Sequence, residues 1–319
     1  NSAFGFQAGY SITSGTYNTA IGRNTFGSTT AFSTGNYNIA IGESALFDNT
    51  TGADNIGIGV NALDSNATGQ SNIAIGREAL TRNFSDYNTA VGDRAGYSIT
   101  SGTYNTALGR NTFGSTTALM TGTRNVAIGE AALYDNTTGA YNVGIGAYAL
   151  SSNTTGEYNI GLGYNTFGTS TASNTGDDNI GIGRNALFDN TTGYYNVAIG
   201  SNVLQKNVSG IGNTGVGTFA LSNNVDGSAN SAFGDSSLGN NVGGYSNSAF
   251  GSVSMENNTD GYQNSAFGTN ALRSNTTGDG NIAFGFNTFG TTTVNNTGNN
   301  NVAIGNLSLF DNTTGASNV

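Results

Sequence analysis

One five-residue motif, Asn-x-(Ala or Gly)-x-Gly, recurs along the whole 319-residue chain. Eighteen complete copies begin between Asn1 and Asn301, and successive copies are 17 residues apart except for four intervals of 20 and one of 16. A fixed period of this length is typical of a solenoid, in which each repeat forms one coil. Because no linker, composition break or charge run interrupts the pattern, we expect a single continuous repeat domain over residues 1–319, as a segment of a longer fibre.

Each repeat combines strand patterning with turn chemistry. Residues 38–42 alternate bulky and small side chains, which predicts a strand. A second, shorter strand is expected around Leu46, and the Asn-Thr-Thr-Gly run at residues 49–52 predicts a turn. Helical repeats need about 33–47 residues, which is far more than one coil has here. The sequence therefore predicts an all-β parallel β-solenoid (β-roll) of about 18 coils, with 17 residues per coil and four 20-residue coils.

Two apolar columns are candidates for the core. The residue before the final Gly of the motif is bulky and apolar in every copy, and a Leu recurs eight residues after the motif Asn. We expect both to face inward, and the small Ala or Gly between the bulky strand residues to pack closely against the opposite wall or another chain. In the 20-residue coils Phe replaces the Leu. The predicted core includes Ile41, Ile58, Ile128, Leu46, Leu133 and Leu187.

The motif Asn is predicted to form a structural ladder, because identical amides stacked at coil spacing can hydrogen-bond to one another. This ladder needs no ligand. Its members include Asn18, Asn38, Asn55, Asn72, Asn105, Asn125, Asn142 and Asn159.

A Tyr often stands directly before the motif Asn, which predicts a row of aromatic side chains on the surface. Such a row could bind glycans or a partner by amphipathic contact, or it could be an aromatic ladder that stiffens the edge of the coils. We favour the ladder. The row consists of Tyr17, Tyr37, Tyr87, Tyr104, Tyr141, Tyr158 and Tyr195.

Composition excludes several kinds of chemistry. The chain has no Cys and no His, which removes the usual zinc and iron–sulfur sites and the Ser–His–Asp triad. A net charge of −10 disfavours nucleic acid and anionic membranes as partners, and no apolar run is long enough to insert into a membrane. The acidic residues belong mostly to repeated turns and lack a unique partner. We therefore predict no enzymatic activity, metal or cofactor. The acids considered are Asp48, Asp64, Asp135, Asp189 and Asp311.

The strings at residues 72–76 and 125–129 resemble the head repeats of trimeric autotransporter adhesins of the YadA type, and related repeats of bacteriophage tail fibres and bacterial surface fibres. The resemblance covers essentially the whole chain. It implies a left-handed parallel β-roll, three chains side by side, and attachment to a host or surface. The family's coil is shorter than this one, and its strand motif has one more residue.

These observations predict a non-enzymatic, extracellular or cell-surface fibre or adhesin shaft. Its expected partners are further copies of itself, in a homotrimer, and an extracellular protein or glycan receptor. The alternatives are a purely structural filament subunit, a virion tail fibre and, less favoured, an ice-binding solenoid. The last hypothesis rests on stacked Thr pairs such as Thr50-Thr51 and Thr137-Thr138, which turn formation also explains.

Overall fold

A computed structural model describes residues 1–29, 32–168, 173–289, 296–310 and 312–319. Within these residues the chain is a parallel β-solenoid of eighteen three-residue strands, with about 17 residues per turn and no helix. The predicted all-β solenoid is therefore confirmed. Its contacts divide the chain into two compact units, Asn1–Tyr158 and Asn159–Val319.

The first unit contains nine strands, and within it the strands of successive coils pair in parallel. The register matches equivalent motif positions, so that Ala40 lies beside Gly57 and Ile41 beside Ile58. The strands are β1 Ser2–Phe4, β2 Thr19–Ile21, β3 Ile39–Ile41, β4 Ile56–Ile58, β5 Ile73–Ile75, β6 Thr89–Val91, β7 Thr106–Leu108, β8 Val126–Ile128 and β9 Val143–Ile145.

The second unit repeats this arrangement with nine further strands. Its parallel register again matches motif positions, as where Ser248 pairs with Ser265 and Phe250 with Phe267. The strands are β10 Ile160–Leu162, β11 Ile180–Ile182, β12 Val197–Ile199, β13 Thr214–Val216, β14 Ser231–Phe233, β15 Ser248–Phe250, β16 Ser265–Phe267, β17 Ile282–Phe284 and β18 Val302–Ile304.

The facing predicted for the strand is wrong. The small middle residue of each strand points into the coil and is buried, except in the terminal strand β1, whereas the bulky residues on either side point outward. Ile41, Ile58 and Ile128 are therefore half-buried on the outer surface and are not part of the core.

Packing inside the coil explains this reversal. A methyl group placed on Gly57 would lie 3.5 Å from Cγ of Leu46, which reaches across from the opposite wall. The space between the walls thus holds one Leu and one small residue, and a bulky strand residue would overfill it. The small residues therefore pack against their own chain. Leu46, Leu133 and Leu187 are completely buried, as predicted.

The predicted second strand is absent from the described coils. Residues around Leu46 form consecutive turns, and Ser44 and Leu46 both adopt left-handed backbone conformations, with φ of 53° and 50°. Left-handed residues bend the wall sharply within a short coil while leaving its backbone groups directed at the neighbouring coils. The Leu46 amide, for example, still donates to the Ala62 carbonyl at 3.0 Å. A non-glycine residue in this conformation is uncommon, and here it recurs in coil after coil.

In the four 20-residue coils, Phe takes the place of the column Leu and is completely buried. These residues are Phe26, Phe113, Phe167 and Phe289. The Phe in each of these coils follows Asn-Thr and precedes Gly in the sequence, and the last such Gly, Gly290, lies outside the described residues.

Candidate functional site

The most extensive candidate surface is the outer face of the strands. We call it the sheet face and define it as the first and third residues of each strand β1–β18. Every one of these side chains is Ile, Val, Leu, Phe, Thr or Ser, so the sheet face carries no charge. Many of its apolar members remain substantially exposed, for example Ile75 at 38% and Ile145 at 39%. Within each unit the sheet face is thus an uncharged, largely apolar stripe, and a stripe of this kind typically marks an interface.

Aromatic residues occupy one part of the sheet face in the second unit. Phe233, Phe250 and Phe267 stack face to face, with ring centroids 4.9 Å apart at each step. Phe284 continues the column at 5.9 Å with a tilted ring. The first residue of β14, β15 and β16 is Ser in each case, so the largest side chains stand beside the smallest.

Two columns border the sheet face. The leading flank is the residue just before each motif Asn, and the trailing flank is the residue just after each motif Gly. The leading flank has left-handed backbone conformations, as at Tyr37 with φ of 58°. The trailing flank carries many of the charged residues, and successive coils form ion pairs along it, including Arg23 with Glu43 and Arg77 with Asp93.

The predicted Tyr row lies on the leading flank, and all seven members are exposed. Rings of adjacent coils stack at 5.0 Å for Tyr17 and Tyr37, and at 4.8 Å for Tyr141 and Tyr158, with planes within 7° of parallel. One face of each ring is therefore covered by the ring of the adjacent coil. This stacking between coils favours the stiffening ladder. The remaining members are Tyr87 and Tyr104, which stack at 4.9 Å, and Tyr195, which meets Tyr194 edge-on.

Arg124 extends the aromatic row of the first unit. Its guanidinium carbon lies 5.5 Å from the ring centre of Tyr104 and 5.4 Å from that of Tyr141. Its Nη1 also donates to the Tyr141 hydroxyl at 2.6 Å. The cation thus takes the place of a ring between two aromatic residues.

The motif Asn residues form the ladder that their spacing predicts. The backbone amide of Asn38 donates to Oδ1 of Asn18 at 2.9 Å, and the Asn38 side-chain amide donates to the same oxygen at 3.1 Å. That side-chain amide also donates to the Gly52 carbonyl at 2.9 Å. All the predicted members are buried, so their polar groups are used within the fold.

The Asn of the turn forms a second buried ladder, a role that the sequence analysis does not predict for it. The side-chain amide of Asn153 donates to Oδ1 of Asn136 at 2.9 Å and to the Gly156 carbonyl at 2.9 Å. The signal for this ladder in the sequence is the spacing of eleven residues between motif Asn and turn Asn in most of the 17-residue coils, as from Asn38 to Asn49.

The first Thr of these turn pairs uses its hydroxyl within the fold. Oγ1 of Thr50 donates to the Ala67 carbonyl at 2.8 Å, and Oγ1 of Thr137 donates to the Thr154 carbonyl at 2.9 Å. The first hydroxyl of these pairs therefore binds the backbone of the next coil. This arrangement favours the structural explanation of the pairs over ice binding.

The acidic residues of the turns are spread over separate coils. Burial raises the pKa of Asp64 to about 6, and the nearby Asp48 carboxylate contributes to the increase. Burial also raises the pKa of Asp135 and Asp189, against opposing effects of a hydrogen bond from Ser115 and the charge of Lys206, respectively. Within the described ranges no three acidic residues come close enough to hold a metal ion. Asp311 lies outside the described residues.

No helix that could cross a membrane occurs in the part of the chain that the structure describes. Models of known protein families give no match to the chain, and no curated protein matches it with significant similarity. The candidate functional surfaces are therefore the uncharged sheet face and the two flanks that border it, which carry aromatic and charged residues.

Proposed function

We propose that this chain is a non-enzymatic extracellular fibre or adhesin shaft, and that three copies associate side by side through the sheet face. The observation that supports this best is the composition of the sheet face, which is uncharged over all eighteen strands of a chain with a net charge of −10. A surface that met only water would tolerate Lys, Glu or Asp at these positions. Contact with an apolar surface accounts for their absence.

A further copy of the chain is the simplest partner for this face. Within each unit, every strand lies beside the same motif positions of the next, so a second identical face can follow it strand by strand. Closed rotational symmetry lets every copy cover the face of its neighbour. The resemblance to trimeric adhesin heads supports three copies.

The rest of the coil is suited to a structural role. Most of its buried Asn side chains take part in two ladders, and its coils are connected by backbone hydrogen bonds, which together favour a stiff element. The exposed flanks and turns then remain for a receptor, an extracellular protein or a glycan. A structural filament subunit or a virion tail fibre would use the same scaffold without a receptor.

The molar mass in solution tests the assembly. Light scattering at micromolar concentration should give three times the chain mass of 32.3 kDa. Ile145→Lys, which places a charge on the sheet face, should reduce that mass, while Thr51→Lys in an exposed turn should not. A stable, soluble monomer of the unmodified chain would refute the trimer.

Binding to immobilised matrix proteins and glycans tests the adhesive role. The intact oligomer should bind at least one of them saturably, and the turn variant Thr51→Lys serves as a folded control. Assembly without binding to any of them would favour the structural filament.

A further inference from the structure

Asp178 and Arg184 stand on opposite flanks of the same strand, β11. Asp178 is on the leading flank and Arg184 on the trailing flank, and both side chains are exposed. Neither forms an ion pair within the described residues, although the charged residues of the trailing flank in the first unit do. Six residues of largely extended chain separate them, about 15–20 Å, so they are too far apart to pair within one copy.

A closed ring of parallel copies would bring these two flanks together. When copies are related by rotation about an axis parallel to the stacking direction, and each turns its sheet face to that axis, the leading flank of one copy meets the trailing flank of the next. The contact is heterologous, so the same pair of flanks meets at every junction. At equal height, Asp178 of one copy then faces Arg184 of its neighbour.

The strand β8 has opposite charges on its two flanks with the signs exchanged, and here both charges also have partners within the chain, Arg124 with the Tyr141 hydroxyl and Glu130 with Arg110. Arg124 lies on its leading flank and Glu130 on its trailing flank. Opposite charges thus flank both strands. The leading-flank charge is positive at β8 in the first unit and negative at β11 in the second.

Other registers lose this complementarity. If the neighbouring copy is shifted by one coil, Arg124 no longer faces Glu130. It then faces Arg110 of the coil before, which is repulsive, or Ala147 of the coil after, depending on the direction of the shift. The same two shifts place Asp178 opposite Tyr164 or Ser201, where no charge pair forms.

A third leading-flank charge, Asp54, lies opposite Val60 without a shift and opposite Glu43 or Arg77 after the same two shifts. Of these three registers, the one without a shift pairs two leading-flank charges with opposite charges, one shift pairs only Asp54, and the other pairs none.

We propose that copies of this chain associate in parallel and in register, with Asp178 of each copy bound to Arg184 of the next around a closed ring. This inference rests on the proposed self-association through the sheet face. The apolar face supplies the affinity, since exposed ion pairs contribute little of it, and the charged flanks select the register and the direction.

Cysteine cross-linking tests the pairing directly, because the chain has no Cys of its own. Oxidation of the double variant Asp178→Cys/Arg184→Cys should link each copy to the next, so that denaturing electrophoresis shows a covalent closed ring. The number of chains in that ring also counts the copies. Each of the two single variants should stay unlinked, because a heterologous contact keeps equivalent positions of neighbouring copies apart.

A register control uses Tyr195, the leading-flank residue one coil further along. The double variant Tyr195→Cys/Arg184→Cys should cross-link at least tenfold less than Asp178→Cys/Arg184→Cys. Each oligomer is first checked for unchanged mass by light scattering. If the oligomer is intact but the shifted pair cross-links as well as the matched pair, or single variants cross-link with themselves, the proposed register is wrong while self-association stands. If the unmodified chain is a monomer, self-association itself fails and the inference falls with it.

Discussion

The side-chain amide of Asn241 donates a hydrogen bond to the side-chain oxygen of Asn224 at 2.7 Å, deep inside the turn of the coil. Both residues are completely buried, and the same amide also donates to the Gly244 carbonyl at 2.9 Å. Asn241 therefore satisfies polar groups of its own coil and of the preceding one, which water does not reach.

Loss of one ladder side chain should consequently destabilise the fold. Asn241→Ala leaves the Asn224 oxygen and the Gly244 carbonyl without this donor, and a buried unsatisfied group costs about 1–3 kcal/mol. We expect the free energy of unfolding to fall by about 2–4 kcal/mol in urea titrations followed by circular dichroism. Asn240→Ala, one residue earlier and exposed, should change it by less than about 0.5 kcal/mol. Equal losses in the two variants would contradict the role of the ladder.

The facing of the strand gives a second prediction. Ala249 is completely buried, while its neighbour Ser248 lies on the sheet face. Ala249→Leu should overfill the coil and lower the free energy of unfolding by about 1–3 kcal/mol or more. Ser248→Leu introduces the same side chain on the outside, where it does not overfill the coil, and should lower the free energy of unfolding by less. Thermal unfolding of the two variants makes the comparison, and a larger loss for Ser248→Leu would reverse the facing described here.

The corner glycine is the subject of a third prediction. Gly251 has φ of 136°, and a Cβ there would lie 2.6 Å from the carbonyl of Gly268 in the next coil. Gly251→Asn should therefore cost at least about 2 kcal/mol, from backbone strain and from separation of the two coils.

Gly212 provides a matched control for this substitution. Its φ is 65°, nothing lies within 4 Å of the place of a Cβ, and Asn300 adopts a similar conformation at the equivalent position. Asn tolerates this region, so Gly212→Asn should be nearly silent in the same urea titration. A soluble, equally stable Gly251→Asn variant would show that the corner can relax.

The raised pKa of Asp64 makes stability depend on pH. Burial is the main cause of the value of about 6, and the Asp48 carboxylate adds to it. The folded protein therefore holds this proton more tightly than the unfolded chain does. The stabilisation is complete below a pH of about 4 and is lost as the pH rises through 6.

Asp64→Asn should remove this contribution. Since the side chain is partly solvated, we expect the variant to gain on the order of 1 kcal/mol relative to the unmodified chain between pH 4 and pH 7. Asp48→Asn should lower the pKa of Asp64 and give part of the same gain. Urea titrations at both pH values measure the difference, and identical pH profiles for Asp64→Asn and the unmodified chain would contradict it.

The period of the motif is sufficient to predict the solenoid, the Asn ladder and the Leu column, because each follows from identical residues at equal spacing. It cannot predict which side of the strand is inside. Alternation separates Ile41 from Ala40 but does not say which one the coil has room for, and that depends on the reach of Leu46 from the opposite wall. The Leu column looks like a strand because Leu rarely adopts a left-handed conformation; here the tightness of the coil overrides that preference.

Of the candidate surfaces, the sequence indicates the Tyr row but not the sheet face. Most of the outer residues of the strands are apolar, and apolarity alone predicts an interior position for them. The structure shows that Ala40 and its equivalents are buried, which places the side chains on either side of them at the surface. Their lack of charge at the surface then indicates an interface.

Within the units, backbone hydrogen bonds between coils join each coil to the one before it and the one after it, as from Ile39 to Asn55 and from Gly42 to Ile21. A coil thus needs suitable neighbours but no particular place in the order. The segments 8–31 and 95–118 differ at a single position, so the chain contains long stretches of nearly identical amino-acid sequence. Duplication or deletion of such a stretch would add or remove whole coils and leave every remaining one with compatible neighbours. A single such event would therefore change the length of the protein while keeping the same kinds of contact between neighbouring coils.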